Sequence, residues 1–424
     1  MATSNMSAVI RLGTTKSWIV VAEFSEDHMV QPEIKWTYCT DSMGIERGQI
    51  TNNIEVKLLI DHLLKMADEA VKGVIEDVTV ISSGVDVQHY HRQGNSVIET
   101  EDHTVDDATM IKALANALSQ PHEASSTAPV LHMPLWYTLD NRMVQNPLHM
   151  IGNLLTVKVQ SFTLPNVEVS NLLTDCPVEP LFVLPKALVA PLGCMDQGEW
   201  AGCSLMLSMG GGALSATLVY NNQIVGVFCA KIGGNHFTSD IRQLLHMPHN
   251  VAESYKRFIN LTGGEVEPLP ASLTGWDVEE ARQILRARME EIIDTVIMPF
   301  VEQARSTGYE PTTVVLQGGG FSIAGAYEMI YEALGVPVRF VNDQNGVDPL
   351  CFGALQFLWR QRRNPFYATD GVRSLEMPRI TAVSSSLSEK KAKPSRVASD
   401  EDGVFDGLKG NVKKVWNEIV NMFN

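Results

Sequence analysis

The chain has 424 residues, 45% hydrophobic and 19% charged, enough to bury substantial cores in two or more domains or subdomains. Its 49 acidic and 33 basic residues give a formal net charge of −16, which argues against bulk nucleic-acid binding, since a phosphate backbone wants a basic face. The 6 cysteines (Cys39, Cys176, Cys194, Cys203, Cys229, Cys351) form no C-x-x-C pair and read as buried thiols of a reduced, cytosolic protein. There is no basic-plus-apolar leader and no apolar run long enough to cross a bilayer, so any membrane contact is expected at the surface.

Near the start, AVIRLGTTKSWIVVAEF predicts a strand over 8–12, a turn Gly13-Thr14-Thr15-Lys16 and a strand over 17–24. A hydroxyl pair and a lysine in a turn are suited to touching phosphate oxygens. The segment 54–72 carries Leu58, Leu59, Leu63, Met66 and Ala70 at helical spacing, and 77–84 reads as a strand. From about 86 to 165 the texture changes to polar strands and a helix over 105–119, capped by Thr104 with Asp107 three residues on, as in an inserted α/β module. His89 and His91 share one strand face there; with no third ligand at a convincing spacing they read as solvated histidines rather than a metal pair.

The stretch 205–220, LMLSMGGGALSATLVY, repeats the first plan with Gly210-Gly211-Gly212 as the turn. Taken alone it is a loose hairpin, but such a turn also lets main-chain amides approach an anion. Next, VFCAKIGGNHFTSDIRQLL ends a strand at Gly233-Gly234 and is expected to begin a helix at Thr238 or Ser239. Glu253 and Lys256 then fall on one helix face, either as an exposed ion pair or as a polar wall for adenine and ribose. The segment 277–305 reads as one long amphipathic helix. A third strand over 312–317 leads into Gly318-Gly319-Gly320 and a helix whose N-terminus would face a nucleotide. Three glycine-rich turns at strand ends describe one cleft, and a near-duplicated strand–turn–strand unit is the mark of an actin-like fold.

Residues 373–403 are Ser/Lys-rich and read as a flexible linker. The final segment 404–424 sets Phe405, Leu408, Val412, Val415, Trp416, Ile419, Val420 and Phe423 along one helical stripe. With Lys409 and Lys413 beside the stripe, it reads as an in-plane membrane helix; a protein groove, or the chain's own core, is the other destination.

In this order the pieces resemble the FtsA family of bacterial actin-like cell-division proteins. Gly13-Thr14-Thr15-Lys16 is similar to the family's first phosphate motif, and 42–48 (SMGIERG) to its S-x-G-I-x-R-G segment. The stretch 131–150 resembles the close of its inserted subdomain, Gly233-Gly234 with Thr238 and Asp240 its G-G-x-x-x-T-x-D, and 315–339 its adenosine motif. The resemblance implies an α/β actin-like fold with an inserted α/β subdomain and a C-terminal amphipathic helix. Its units are expected as 1–85 and 166–200 for the first domain, 86–165 for the insertion, 201–372 for the second domain, then linker and helix. Gly13, Thr14, Thr15, Lys16, Gly210, Gly211, Gly212, Gly233, Gly234, Glu253, Lys256, Gly318, Gly319 and Gly320 would surround ATP or ADP.

The departures concern chemistry. The family's first motif opens with an aspartate where this chain has Arg11, and its second carries acids where this chain has Ser208 and Ser215. Those carboxylates hold hydrated Mg²⁺ in the actin-like superfamily, so the substitutions disfavour Mg²⁺ and phosphoryl transfer and leave nucleotide binding an open matter. Arg11 is expected to stand in for part of the metal's charge or to fill its site. By resemblance the chain would polymerise at the cytoplasmic face of the cell membrane, at the division site, as a peripheral septum protein. It would tether FtsZ-type tubulin-like filaments there and recruit later division proteins, without nucleic acid. The alternatives are a membrane-bound pseudo-ATPase scaffold outside division and an active ATPase with relocated acids.

Overall fold

The computed structural model describes residues 6–71, 73–119, 126–263, 275–341 and 346–370. The expected linker and amphipathic helix, with every proposed membrane-binding residue from Phe405 to Phe423, lie outside the described residues.

The apolar run MSAVIR forms β1 (Met6–Arg11), whose Ala8, Val9 and Ile10 are fully buried, as a strand covered on both faces requires. It turns back into β2 (Lys16–Glu23), pairing Arg11 with Trp18, and β3 (Glu33–Asp41) extends the ladder. A two-stranded ribbon, β4 (Ile45–Glu46) and β5 (Gln49–Ile50), precedes α1 (Asn53–Ala70). Asn52 caps that helix by accepting from the Ile54 and Glu55 amides. Leu59 and Leu63 are buried as the spacing predicts, whereas Leu58 is exposed and Val56 and Ile60 complete the packed face. β6 (Ile75–Ser82) then lies parallel to β1.

The next sheet comes from β7 (Gln88–Val97), α2 (Asp107–Leu118), β8 (Thr127–Leu139), β9 (Arg142–Val144) and β10 (Leu154–Pro165). From Arg92 onward β7 alternates buried and exposed, the period of a strand with one covered face. The helix begins later than the sequence suggests. Its cap is Asp106, which accepts from the Thr109 amide, while Thr104 forms a bridge with Ile151 and is unavailable as a cap. His89 and His91 are neighbours, with ring centroids 5.7 Å apart, but His89 is half-buried rather than solvated, because its ring packs beside Phe162.

α3 (Asn166–Asp175) leads to β11 (Phe182–Pro185), which returns to β6, and then to α4 (Lys186–Cys194) and α5 (Gln197–Ala201). β12 (Cys203–Met209), β13 (Leu214–Tyr220) and β14 (Gln223–Ala230) repeat the antiparallel plan of β1–β3. α6 (Gly234–Leu244), α7 (His249–Lys256), α8 (Val278–Ile292) and α9 (Met298–Ser306) follow. The expected single helix over 277–305 is interrupted by a π turn, Ile293–Ile297. Pro299, at the start of α9, has no N–H to give the α-helical ladder, and the wider turn ahead of it accommodates that loss. β15 (Thr313–Gln317), α10 (Ala326–Leu334), β16 (Val338–Val341), α11 (Pro349–Arg363) and β17 (Thr369–Asp370) complete the described chain.

Two of the three five-stranded sheets have one topology. The first runs β11-β6-β1-β2-β3 and the second β16-β15-β12-β13-β14, each an antiparallel three-strand meander extended by two parallel strands. Between them α4 and α11 cross at Gly193 and Gly353, where a Cβ on either residue would overlap the other helix's backbone. α11, expected with the second domain, buries Leu350, Cys351, Ala354, Leu355, Phe357 and Leu358 in the core shared with the first sheet. β17 pairs with β8 of the third sheet, placing Thr369 opposite His132.

Candidate functional site

The turns after β1, β12 and β15 converge on one cleft of about 530 Å³. Gly13, Thr14, Thr15, Lys16, Gly210, Gly211, Gly212, Gly234, Glu253, Lys256, Gly318, Gly319 and Gly320 line it; Gly233 lies behind the wall, where a Cβ would crowd the Gly210 and Gly211 carbonyls. The first turn is fixed by side-chain hydrogen bonds to its surroundings. Thr14 Oγ1 accepts from the Gly48 amide at 2.9 Å, and Thr15 Oγ1 donates to Asn235 Oδ1 at 3.3 Å. A side chain at Gly211 would overlap Thr15, and one at Gly212 would overlap Thr14, so these glycines are demanded by close approach.

Two helix starts differ from expectation. α6 opens at Gly234 rather than at Thr238 or Ser239, because small residues let its first turn dock on the glycine hairpin. The Gly234 amide donates to the Gly210 carbonyl and the Asn235 amide to that of Gly211, both at 2.8 Å. Those two donors are therefore engaged by protein. After Gly318-Gly319-Gly320 no helix begins at once. α10 starts only at Ala326, and the connecting turn is tied to the loop before α8 by the Leu261 amide donating to the Ala324 carbonyl at 2.8 Å.

Glu253 and Lys256 are more than an exposed pair. The nearly buried Lys256 ammonium donates to Glu253 at 2.7 Å, Thr238 Oγ1 at 2.8 Å and the Gly234 carbonyl at 3.1 Å, bolting α7 to the start of α6. Burial lowers the Lys256 pKa, the Glu253 contact opposing it. Burial pushes Glu253 upward, but its bonds from Lys256 and Thr238 bring the carboxyl below its ordinary range. Lys16 lines the mouth and pairs with Asp41 at 2.6 Å, half-exposed.

The charge at the floor was only partly legible. Arg11 is ion-paired with the buried Asp348, whose other oxygen caps α11 through the Leu350 and Cys351 amides. Arg11 is thus neutralised by a residue 337 positions away, rather than free to replace a metal's charge. The unexpected cation is Lys186. Its ammonium lies 3.0 Å from the Ser208 carbonyl and 3.1 Å from that of Ala213 and has no carboxylate partner among the described residues. Burial lowers its pKa to about 8, so it is still largely protonated at neutral pH, and burial pushes the nearby Cys229 thiol up to about 12, leaving it neutral. One signal was visible in the sequence: a lone lysine inside the apolar run FVLPKALVAPLG. Altogether five cationic side chains (Arg11, Lys16, Lys186, Lys256, Arg257) face two carboxylates (Glu253, Asp348) around the cleft. That local excess stands in a chain of net charge −16.

The resemblance implies Mg²⁺, and the donors here do not fit it. Ser208 Oγ donates to Gln317 Oε1 at 2.5 Å, Ser215 is buried opposite Ser208, and the nearest strong charges are an ammonium and a guanidinium. A hard dication wants carboxylate and water oxygens. Neither carboxylate of the cleft is unpaired: Asp348 holds Arg11, and Glu253 holds Lys256 and Arg257.

The family model described as "Cell division protein FtsA" matches residues 205–369. A curated FtsA of Enterococcus hirae is 25% identical over 369 residues, spanning 82% of this chain and 80% of that protein. That of Pseudomonas aeruginosa is 25% identical over 374 residues, spanning 84% and 86%. Among solved structures, the type IV pilus biogenesis complex PilM–PilN shares the fold with a TM-score of 0.55 at 16% identity, over 85% of this chain and 99% of that one. The duplicated sheets and the shared cleft give the chain an actin-like fold, and its sequence is similar to the FtsA cell-division proteins.

Proposed function

We propose that this chain is a cell-division scaffold that binds ATP or ADP as a structural ligand, with little or no hydrolysis. It self-assembles at the cytoplasmic face of the cell membrane and tethers a FtsZ-type tubulin-like filament there. The observation that carries the reading is the cleft: three turns of a duplicated actin-like scaffold meet at a surplus of positive charge, while the expected acids are Arg11, Ser208 and Ser215. Phosphate oxygens would find backbone amides, the Thr14 and Thr15 hydroxyls and cations there, but among the described residues no unpaired carboxylate to orient an attacking water. The relatives named for cell division support the cellular role. The apolar stripe from Phe405 to Phe423 supports the membrane as the anchoring surface, since many weak helices aligned in an array gain avidity from one another.

The test is liposome co-sedimentation of the full chain with a purified tubulin-like division protein, with and without ATP, alongside phosphate release. The expected result is a tubulin-like partner carried to the pellet only when this chain is present, with phosphate release at background. Failure to carry it down, or robust Mg²⁺-dependent turnover, overturns the corresponding half of the reading.

A further inference from the structure

We infer that Lys186 is a built-in counter-ion, so that the cleft takes its nucleotide as the metal-free polyphosphate and Mg²⁺ weakens binding instead of supporting it. This rests on the nucleotide reading above and concerns the ionic form of the ligand.

Three observations converge. Lys186 is 6% exposed, yet it lines the cleft, and its ammonium has three donors with only two carbonyl acceptors beside it. An unpaired buried cation is an expensive arrangement that an anion relieves. Lys186 is also the first residue of α4, which starts without a side-chain cap, so the positive end of that helix's dipole adds to the same point. Finally, the two carbonyls it holds flank the glycine hairpin, at Ser208 and Ala213, on either side of Gly210–Gly212. The ammonium thus fixes the hairpin from behind and presents positive charge through it.

A magnesium ion arriving with ATP would cancel negative charge on the phosphates and bring its own charge and hydration shell toward this ammonium. Like charges at such separations repel strongly in a partly desolvated site. The free polyanion meets no such opposition.

The experiment is calorimetric titration of the full chain with ATP and with ADP, once in EDTA and once in excess Mg²⁺. Affinity in EDTA is expected to exceed that in Mg²⁺, and equal affinity overturns the claim that the metal weakens binding. Lys186→Met and Lys186→Gln should each lower the EDTA affinity by about thirtyfold or more, the scale for removing one member of a buried charge contact. Should neither variant fold, the comparison of EDTA with Mg²⁺ on the unaltered chain carries the test. Binding that requires Mg²⁺ overturns this inference and leaves the nucleotide reading standing. No binding of either nucleotide under both conditions overturns both. EDTA binding unchanged by the substitutions shows that Lys186 is not the counter-ion.

Discussion

The two halves of the molecule share a backbone plan and differ in how each secures its turn. In the first half the residue before the turn, Arg11, is held by Asp348 from the far end of the described chain. That pair carries no net charge. In the second half the turn is almost bare backbone, and the charge behind it, Lys186, is held only by carbonyls. A duplicated sheet therefore fixes where two turns meet, while single side chains decide whether the meeting point is neutral or cationic.

The strongest way to break the comparison is Asp348→Ala. It strands the Arg11 guanidinium in a part-buried site and removes the cap of α11, so a loss of about 3–5 kcal/mol is expected in denaturant unfolding. A change below 1 kcal/mol would mean that the first half does not depend on the pair. The third sheet supplies a contrast governed by pH. Burial lowers His132 and His89 to about 4, and His132 Nε2 is buried without a partner while Nδ1 meets Ser161 Oγ at 2.7 Å. Both rings protonate near pH 6.5 when unfolded, so the stability they confer is complete above that pH and is lost as pH falls toward 4, by about 2–3 kcal/mol for His132. Melting curves from pH 7 to 4.5 should show this loss, and His132→Gln should remove its share while that of His89 remains; parallel curves would assign the acid sensitivity elsewhere.

Contact between the halves is sharpened by glycine substitutions. Gly212→Ala drives a methyl into Thr14 and the Arg47 backbone, and should cost about 1–3 kcal/mol by chemical denaturation. Gly319→Ala is the smallest effect. A Cβ there meets nothing within 4 Å, so stability should move by no more than about 0.5 kcal/mol while the cleft gains one methyl. If the two substitutions destabilised equally, the close meeting of the first two turns would not be what demands glycine.

The strands and their three turns were readable because apolar runs broken by glycine are local signals. So was the duplication, since 8–24 and 205–220 carry one pattern. The floor of the cleft was not. Arg11 and Asp348 are 337 positions apart, and no local pattern announces such a pairing. The late start of α10 was hidden because a glycine run reads equally as a helix entry or a longer turn. The early start of α6 depends on carbonyls of Gly210 and Gly211, supplied by tertiary contact. The break at Ile293–Ile297 had a visible marker in Pro299, outweighed by charge pairing that favoured one continuous helix.

The strand β17 has a mechanical consequence. Any pull on the chain beyond Asp370 enters the described fold there, through a two-residue ladder on β8, and only afterwards reaches α11. So short a ladder yields early, whereas α11 is seated by Leu350, Leu355, Phe357 and Leu358. Tension from that end would therefore peel the edge of the third sheet before it disturbed either half of the cleft, making β17 a latch and α11 the anchor behind it.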